Sequence, residues 1–345
     1  MKKNRKIYID LLILISSFGV VLMHCNYNLF NEFTADKSWS LRLVFEVIAY
    51  FNVPCFFMIT GANLLNYREK YTTKEYAMKR VKKVIIPFIF WLFIGLLLAI
   101  IMSQEKISNL NFIYVINAFL TNKYNYAYWF FYSIIAIYAS IPFITLIPKE
   151  KKLKYYSVAV ILAFLSYSLY PWISTTFNIQ LNTDLQIPIV GGYILYVLLG
   201  YILDNIEIQK KYRYIIYFLG ILSALTRYCT MNYYSFLNGR VSYYFCGAIL
   251  FTTVFYSASI FVLCKYVSRK IENKEKICKL ITKIATTAFG IYLIHNYFCI
   301  YLPKIFNINL NSLNWVIFGT IGIYIISSLI TILFKKVPYV KNIIP

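Results

Sequence analysis

Charged side chains are scarce in this 345-residue chain, at 14% of the composition, and acidic ones scarcer still, with 13 Asp and Glu against 35 Lys and Arg. With 60% hydrophobic and 19% aromatic residues, that scarcity excludes an ordinary soluble globule. Strand-like alternation is lacking, which argues against a transmembrane barrel. Linkers, low-complexity tracts and long loops are lacking too, so one membrane domain over 1–345 is expected, without an appended catalytic module. The seven cysteines form no Cys-x-x-Cys pair and show no metal spacing, so no metal site is expected and most read as small apolar fillers. His24 and Cys25 are adjacent, but neighbours on a helix point about 100° apart and cannot meet on one face.

What is present is a series of apolar blocks of roughly 17 to 25 residues, the length that crosses a hydrocarbon core of about 30 Å as a helix. The fold class expected is an all-α integral membrane protein. Its ten spans fall near Ile9–Asn28, Leu43–Asn66, Val84–Met102, Tyr128–Ile147, Tyr155–Trp172, Ile187–Leu203, Tyr212–Cys229, Val241–Cys264, Ile284–Leu302 and Leu313–Phe334. With the N-terminus inside, 28 of the 35 basic residues fall on the cytoplasmic side, as the positive-inside rule requires, and both termini are then cytoplasmic. The net charge of +22 thus reads as orientation, reinforced by anionic lipid, and not as a nucleic-acid surface, since no recognition motif accompanies it. The first block has a basic prefix but no small-residue cleavage site, so it reads as a signal anchor in a multi-pass protein of the cell membrane.

Few residues can carry chemistry. His24 lies near the outer end of the first span, and an ionisable group at that depth costs on the order of 2.5 kcal/mol unless it pairs or faces a polar cavity. Asp10 precedes it by 14 residues. In a helix that is about 21 Å along the axis and within roughly 40° of one face, so one face of the first helix can line a polar path. The plainer reading of Asp10 is a carboxylate at a helix N-terminus. Glu46 lies at the depth of His24 and is a candidate to orient its imidazole. His295 is the only other histidine and also sits in a span. Arg80 and Lys83, three residues apart where the third span leaves the cytoplasm, suit phosphate or lipid headgroups. The tyrosines concentrate near span ends as interfacial anchors, and those near Tyr124–Tyr128 and Tyr233-Tyr234 can also stack on sugar rings.

Five segments in register resemble the acyltransferase-3 family of membrane acyltransferases. They are Tyr8-Ile9-Asp10-Leu11-Leu12 with His24, Val53-Pro54-Cys55-Phe56-Phe57-Met58-Ile59-Thr60-Gly61, Lys79-Arg80-Val81-Lys82-Lys83-Val84-Ile85-Ile86-Pro87, Tyr128-Trp129-Phe130-Phe131 with Ile141-Pro142-Phe143, and Phe289-Gly290-Ile291-Tyr292-Leu293-Ile294-His295. The resemblance implies transfer of an acyl group, usually acetyl, from cytoplasmic acyl-CoA to a hydroxyl of a cell-envelope glycan or lipid-linked sugar. His24 would be general base or acyl relay, Arg80 and Lys83 would hold the CoA phosphates, and Trp129 and His295 would contact substrate. The acceptor would reach the membrane domain directly or through a separate extracytoplasmic partner.

The chain departs from the family pattern at Ile13, where the family has an arginine, at Thr60-Gly61, where it has Ser-Gly, and at Lys83, where a second arginine is usual. Arg5 and Lys6 are candidates to supply the missing charge. Two other readings are a catalytically degenerate member and a transporter or flippase of an envelope precursor. Against transport, the hydropathy pattern shows no internal repeat and no pair of corresponding broken helices.

Overall fold

A computed structural model of the chain describes residues 5–180, 182, 187, 190–244, 246–338 and 340–344. All regular structure among these residues is helical, as a lipid-facing backbone requires when no water is at hand to satisfy its polar groups. In chain order the helices are α1 (Ile7–Asn31), α2 (Lys37–Ala49), α3 (Asn52–Leu64), α4 (Thr73–Arg80), α5 (Ile86–Ile101), α6 (Phe112–Leu120), α7 (Trp129–Ile144) and α8 (Lys149–Ala163). They continue as α9 (Tyr170–Phe177), α10 (Ile194–Asn205), α11 (Lys210–Asn238), α12 (Phe251–Ile271), α13 (Glu275–Ala285), α14 (Ala288–Phe306) and α15 (Thr320–Lys336).

Eight helical runs are long and apolar enough to cross a bilayer, and α13 with α14, bent by 52° at their junction, make a ninth. The sixth expected span, Ile187–Leu203, is where the structure differs. Its residues 188 and 189 lie outside the described residues, and the helix beyond them, α10, is only 12 residues long. At 1.5 Å per residue α10 covers about 18 Å, well short of the hydrocarbon thickness. The eighth expected span, Val241–Cys264, also starts late. Helix α12 begins at Phe251, and the described residues before it, 241–244 and 246–250, are not helical.

Helix α10 is short, yet it packs intimately. It crosses α3 through two glycines: a Cβ on Gly61 would lie 1.7 Å from the Val197 carbonyl oxygen, and one on Gly200 would lie 2.1 Å from that of Met58. Only residues without side chains allow backbones this close. The same two helices have their C-terminal carbonyls capped by buried lysines. Lys152 Nζ donates to Leu65 O at 2.6 Å after α3, and Lys265 Nζ donates to Leu203, Asp204 and Ile206 carbonyls at 2.9, 3.0 and 2.7 Å after α10. A cation there meets both the unpaired carbonyls and the negative end of the helix dipole.

Wide π-helical turns interrupt three of the long runs, at Val81–Ile85, Phe164–Leu169 and Trp315–Gly319. In the first two, a proline follows two residues later, Pro87 and Pro171. Proline has no N–H to donate to the preceding turn, and the local widening accommodates the missing bond. The first wide turn lies immediately after Arg80 and contains Lys83.

Candidate active site

Three cavities lie in sequence along α1, joined by shared wall residues. The first, of about 460 Å³, is lined by Arg5, Lys6, Asp10, Ile13, Asn63 and Lys70. The second, of about 390 Å³, begins at the same Ile13 and takes in Thr60, Arg80, Lys83, Tyr138 and Tyr292. The third, of about 340 Å³, begins at Tyr292 and contains His24, Glu46, Tyr126, Trp129 and Arg227. Asp10, Ile13, Val20 and His24 therefore line successive cavities from one helix, as their helical spacing allows.

At the N-terminal mouth, Asp10 is buried in the first turn of α1 and fully engaged. Arg5 grips it with Nε at 2.6 Å and Nη2 at 2.8 Å, and Thr282 Oγ1 donates at 2.7 Å. Such a forked pair fixes geometry and leaves the carboxylate no free role in proton transfer to His24, roughly 21 Å away along the helix. Asp10 thus ties Arg5 and Thr282 together at this mouth. Lys6 is likewise paired, with both oxygens of Asp204 at 2.6 Å, and Tyr8 donates to the same carboxylate. Arg5, Lys6 and Lys70 also border a polar cavity of about 780 Å³ with Lys265 and Arg269, so this end of the bundle is strongly basic.

In the second cavity Arg80 and Lys83 face the same space, and neither has a carboxylate within 4.0 Å among the described residues. The Arg80 guanidinium lies 5.4 and 5.8 Å from the centres of the Tyr138 and Tyr76 rings, and its Nε has no partner. Beyond this cationic end the walls are apolar: Phe56, Ile59, Phe130, Ile134 and Phe289. The bend between α13 and α14 brings Ala285, Thr286 and Ala288 onto the wall. A tract with charge at one end and hydrocarbon along the rest fits an anion-bearing ligand with an extended tail.

Tyr292 separates this cavity from the third, its hydroxyl donating to the Ala127 carbonyl. Beyond it, Asn125 caps a tight turn over Tyr126–Tyr128, accepting from Ala127 N at 3.2 Å, and is itself held by Asn296 Nδ2 at 2.7 Å. That turn presents Tyr126 to the imidazole, with Tyr126 Oη 3.0 Å from His24 Nδ1. When His24 Nδ1 carries the proton and donates to Tyr126, Nε2 keeps a lone pair for chemistry. Among the described residues Tyr126, and not Glu46, is the hydrogen-bond partner of the His24 imidazole. Glu46 lines the same cavity from α2 but makes no hydrogen bond among the described residues. Trp129, 38% exposed, lies on the cavity wall.

His295 lies behind His24 and not on the wall. It is fully buried, its ring centre 5.0 Å from that of His24. Its Nδ1 donates to Ile291 O at 2.8 Å and Tyr292 O at 3.0 Å, which leaves Nε2 without a partner. It packs against His24 and is not among the residues that line the third cavity.

Tyr126, Tyr292 and Arg227 line these cavities although the sequence did not single them out as site residues: Tyr126 lies among the interfacial tyrosines and Tyr292 inside a resemblance segment. For Arg227 the signal existed: a cation inside an apolar run is costly unless it serves a site. It is 3% exposed and lies over Tyr50, 3.2 Å from the ring centre.

Comparison with curated proteins and with solved structures returns no match. A family model described as an acyltransferase domain does match, over residues 6–332. Nearly every wall residue of the three cavities falls within that span, and the chain belongs to the acyltransferase-3 family of membrane acyltransferases.

Proposed function

We propose that this protein is an O-acyltransferase of the cell membrane that moves an acyl group, acetyl in the first instance, from cytoplasmic acyl-CoA to a hydroxyl of a cell-envelope glycan or lipid-linked sugar. The observation that carries this reading is the succession of three cavities along α1 that share wall residues, with the unneutralised Arg80 and Lys83 in the second and His24 in the third. Arg80 and Lys83 hold the CoA phosphates, and the apolar second cavity takes the pantetheine arm. Arg5 and Lys6 are neutralised by Asp10 and Asp204, so Lys70, on the wall of the first cavity, is the cation there that can stand in for the charge Ile13 lacks. The basic end faces the cytoplasm, with both termini there, in keeping with the distribution of 28 of the 35 basic residues.

In this reaction His24 Nε2 takes the proton of the acceptor hydroxyl as its oxygen attacks the thioester carbonyl. The C–O bond forms, the C–S bond breaks, and the departing thiolate is reprotonated from the imidazolium. The bond to Tyr126 fixes the ring so that Nε2 faces the cavity and the developing charge is stabilised at Nδ1. A relay through acyl-His24 uses the same nitrogen.

Membranes carrying the protein are expected to transfer labelled acetyl from acetyl-CoA to envelope material, and His24→Ala to abolish that transfer. Acetyl on the His24 peptide after quench would indicate the relay instead of the general base. If acetylation persists in His24→Ala while export of a glycan stops, the protein is a transporter and the proposal fails.

A further inference from the structure

The third cavity holds a charge pair that the transfer chemistry does not use. Arg227 enters from α11 and Glu46 from α2, and both line the space that contains His24. They are not in contact, since no ion pair within 4.0 Å joins them among the described residues. Arg227 is 3% exposed and stacks over Tyr50, 3.2 Å from the ring centre; its Nε is unpartnered, and its bonds to Thr253 Oγ1 and Cys246 O are each long, at 3.4 Å. Glu46 has no hydrogen-bond donor among the described residues.

Separated, under-satisfied opposite charges in a low-dielectric wall are expensive, and a ligand that bridges them recovers that cost. The bridging group must donate to a carboxylate and accept from a guanidinium. An anion meets repulsion from Glu46, and a cation meets repulsion from Arg227. Adjacent hydroxyls satisfy both at once, since each is donor and acceptor. The remaining walls suit the same ligand: Trp129 and Tyr27, 38% and 52% exposed, offer aromatic faces to the C–H surface of a ring.

We propose that Glu46 and Arg227 grip a neutral vicinal diol of a pyranose acceptor, so that the pair selects uncharged sugars and sets which hydroxyl reaches His24. This rests on the acyl-transfer reading of the site. Glu46 is here a specificity residue, not a partner of the imidazole.

The test is binding to detergent-solubilised full-length protein, measured by saturation-transfer NMR with methyl α-glucoside, methyl α-galactoside, methyl α-mannoside and sodium glucuronate as probes. At least one neutral glycoside is expected to bind about tenfold more tightly than glucuronate. Glu46→Gln should erase that preference, and Arg227→Gln should weaken the glycoside by about tenfold. His24→Ala should keep the preference for the neutral glycoside over glucuronate while losing acetyl transfer. The inference is overturned if no glycoside binds, if glucuronate binds the wild type as tightly as the best glycoside, or if Glu46→Gln keeps the wild-type preference. Should Arg227→Gln fail to fold, the isosteric Glu46→Gln decides alone. Transfer that survives in His24→Ala would instead sink the transfer reading, whatever the glycoside data show.

Discussion

Adding one methyl group at Gly200 should damage this protein, while the same change at Gly322 should not. At Gly200 a Cβ would meet backbone, at 2.1, 2.4 and 2.5 Å from the carbonyl oxygen, Cα and carbonyl carbon of Met58. To reach ordinary contact at 3.4 Å, α10 must retreat from α3 by roughly 1.3 Å, and no side-chain rotamer can absorb the movement. Overpacking of this kind costs about 3 kcal/mol at the upper end of its range, offset by about 1 kcal/mol of improved helix propensity. The net expectation is a loss of about 2 kcal/mol.

At Gly322 in α15 a Cβ meets nothing within 4 Å, so only the propensity gain of up to about 1 kcal/mol remains. Six of the seven cysteines are buried, so a thiol-reactive fluorophore reports unfolding in detergent directly. Gly200→Ala should lower the apparent Tm by several degrees, and Gly322→Ala should leave it unchanged or raise it. Because Phe56, Ile59 and Thr60 of α3 line the second cavity, Gly200→Ala should also reduce acetyl transfer below what its folded fraction explains. A Gly200→Ala variant as stable as Gly322→Ala would refute the backbone-contact account of the α3–α10 crossing.

Three further outcomes are expected. Arg80→Gln or Lys83→Gln should raise KM for acetyl-CoA by about tenfold each and leave KM for acetylpantetheine, which lacks the phosphates, unchanged; an equal effect on both donors would remove the phosphate role. Tyr126→Phe should lower kcat about 10- to 100-fold with both KM values held within about twofold, and an unchanged kcat would show that the bond to His24 Nδ1 does not orient the base. Lys265→Met should destabilise by about 2–3 kcal/mol, seen as a lower Tm in the thiol assay, because three carbonyls at the C-terminal end of α10 lose their donor; a Tm equal to that of the wild type would contradict the capping role.

The apolar blocks, their lengths and the placement of basic residues determined by themselves that this is a helical membrane bundle, because the bilayer imposes one requirement on every span: internal satisfaction of backbone hydrogen bonds over about 30 Å. The family resemblance was legible for the same reason, since His24, Arg80 and Lys83 sit at fixed places along helices. Spacing along α1 also ordered Asp10, Ile13 and His24 on one face. Only the tertiary structure decided what lies across from them. Which atom orients His24 depends on direction as well as depth, so Tyr126, carried by a capped turn between α6 and α7, takes the place that depth alone gave to Glu46. Burial, which no spacing reports, sets His295 behind His24 and off the lining of the third cavity. Arg227 and Glu46, 181 positions apart in the chain, face one cavity because of how α2 and α11 pack, and pairwise placement of that kind is set by helix contacts and not by local sequence.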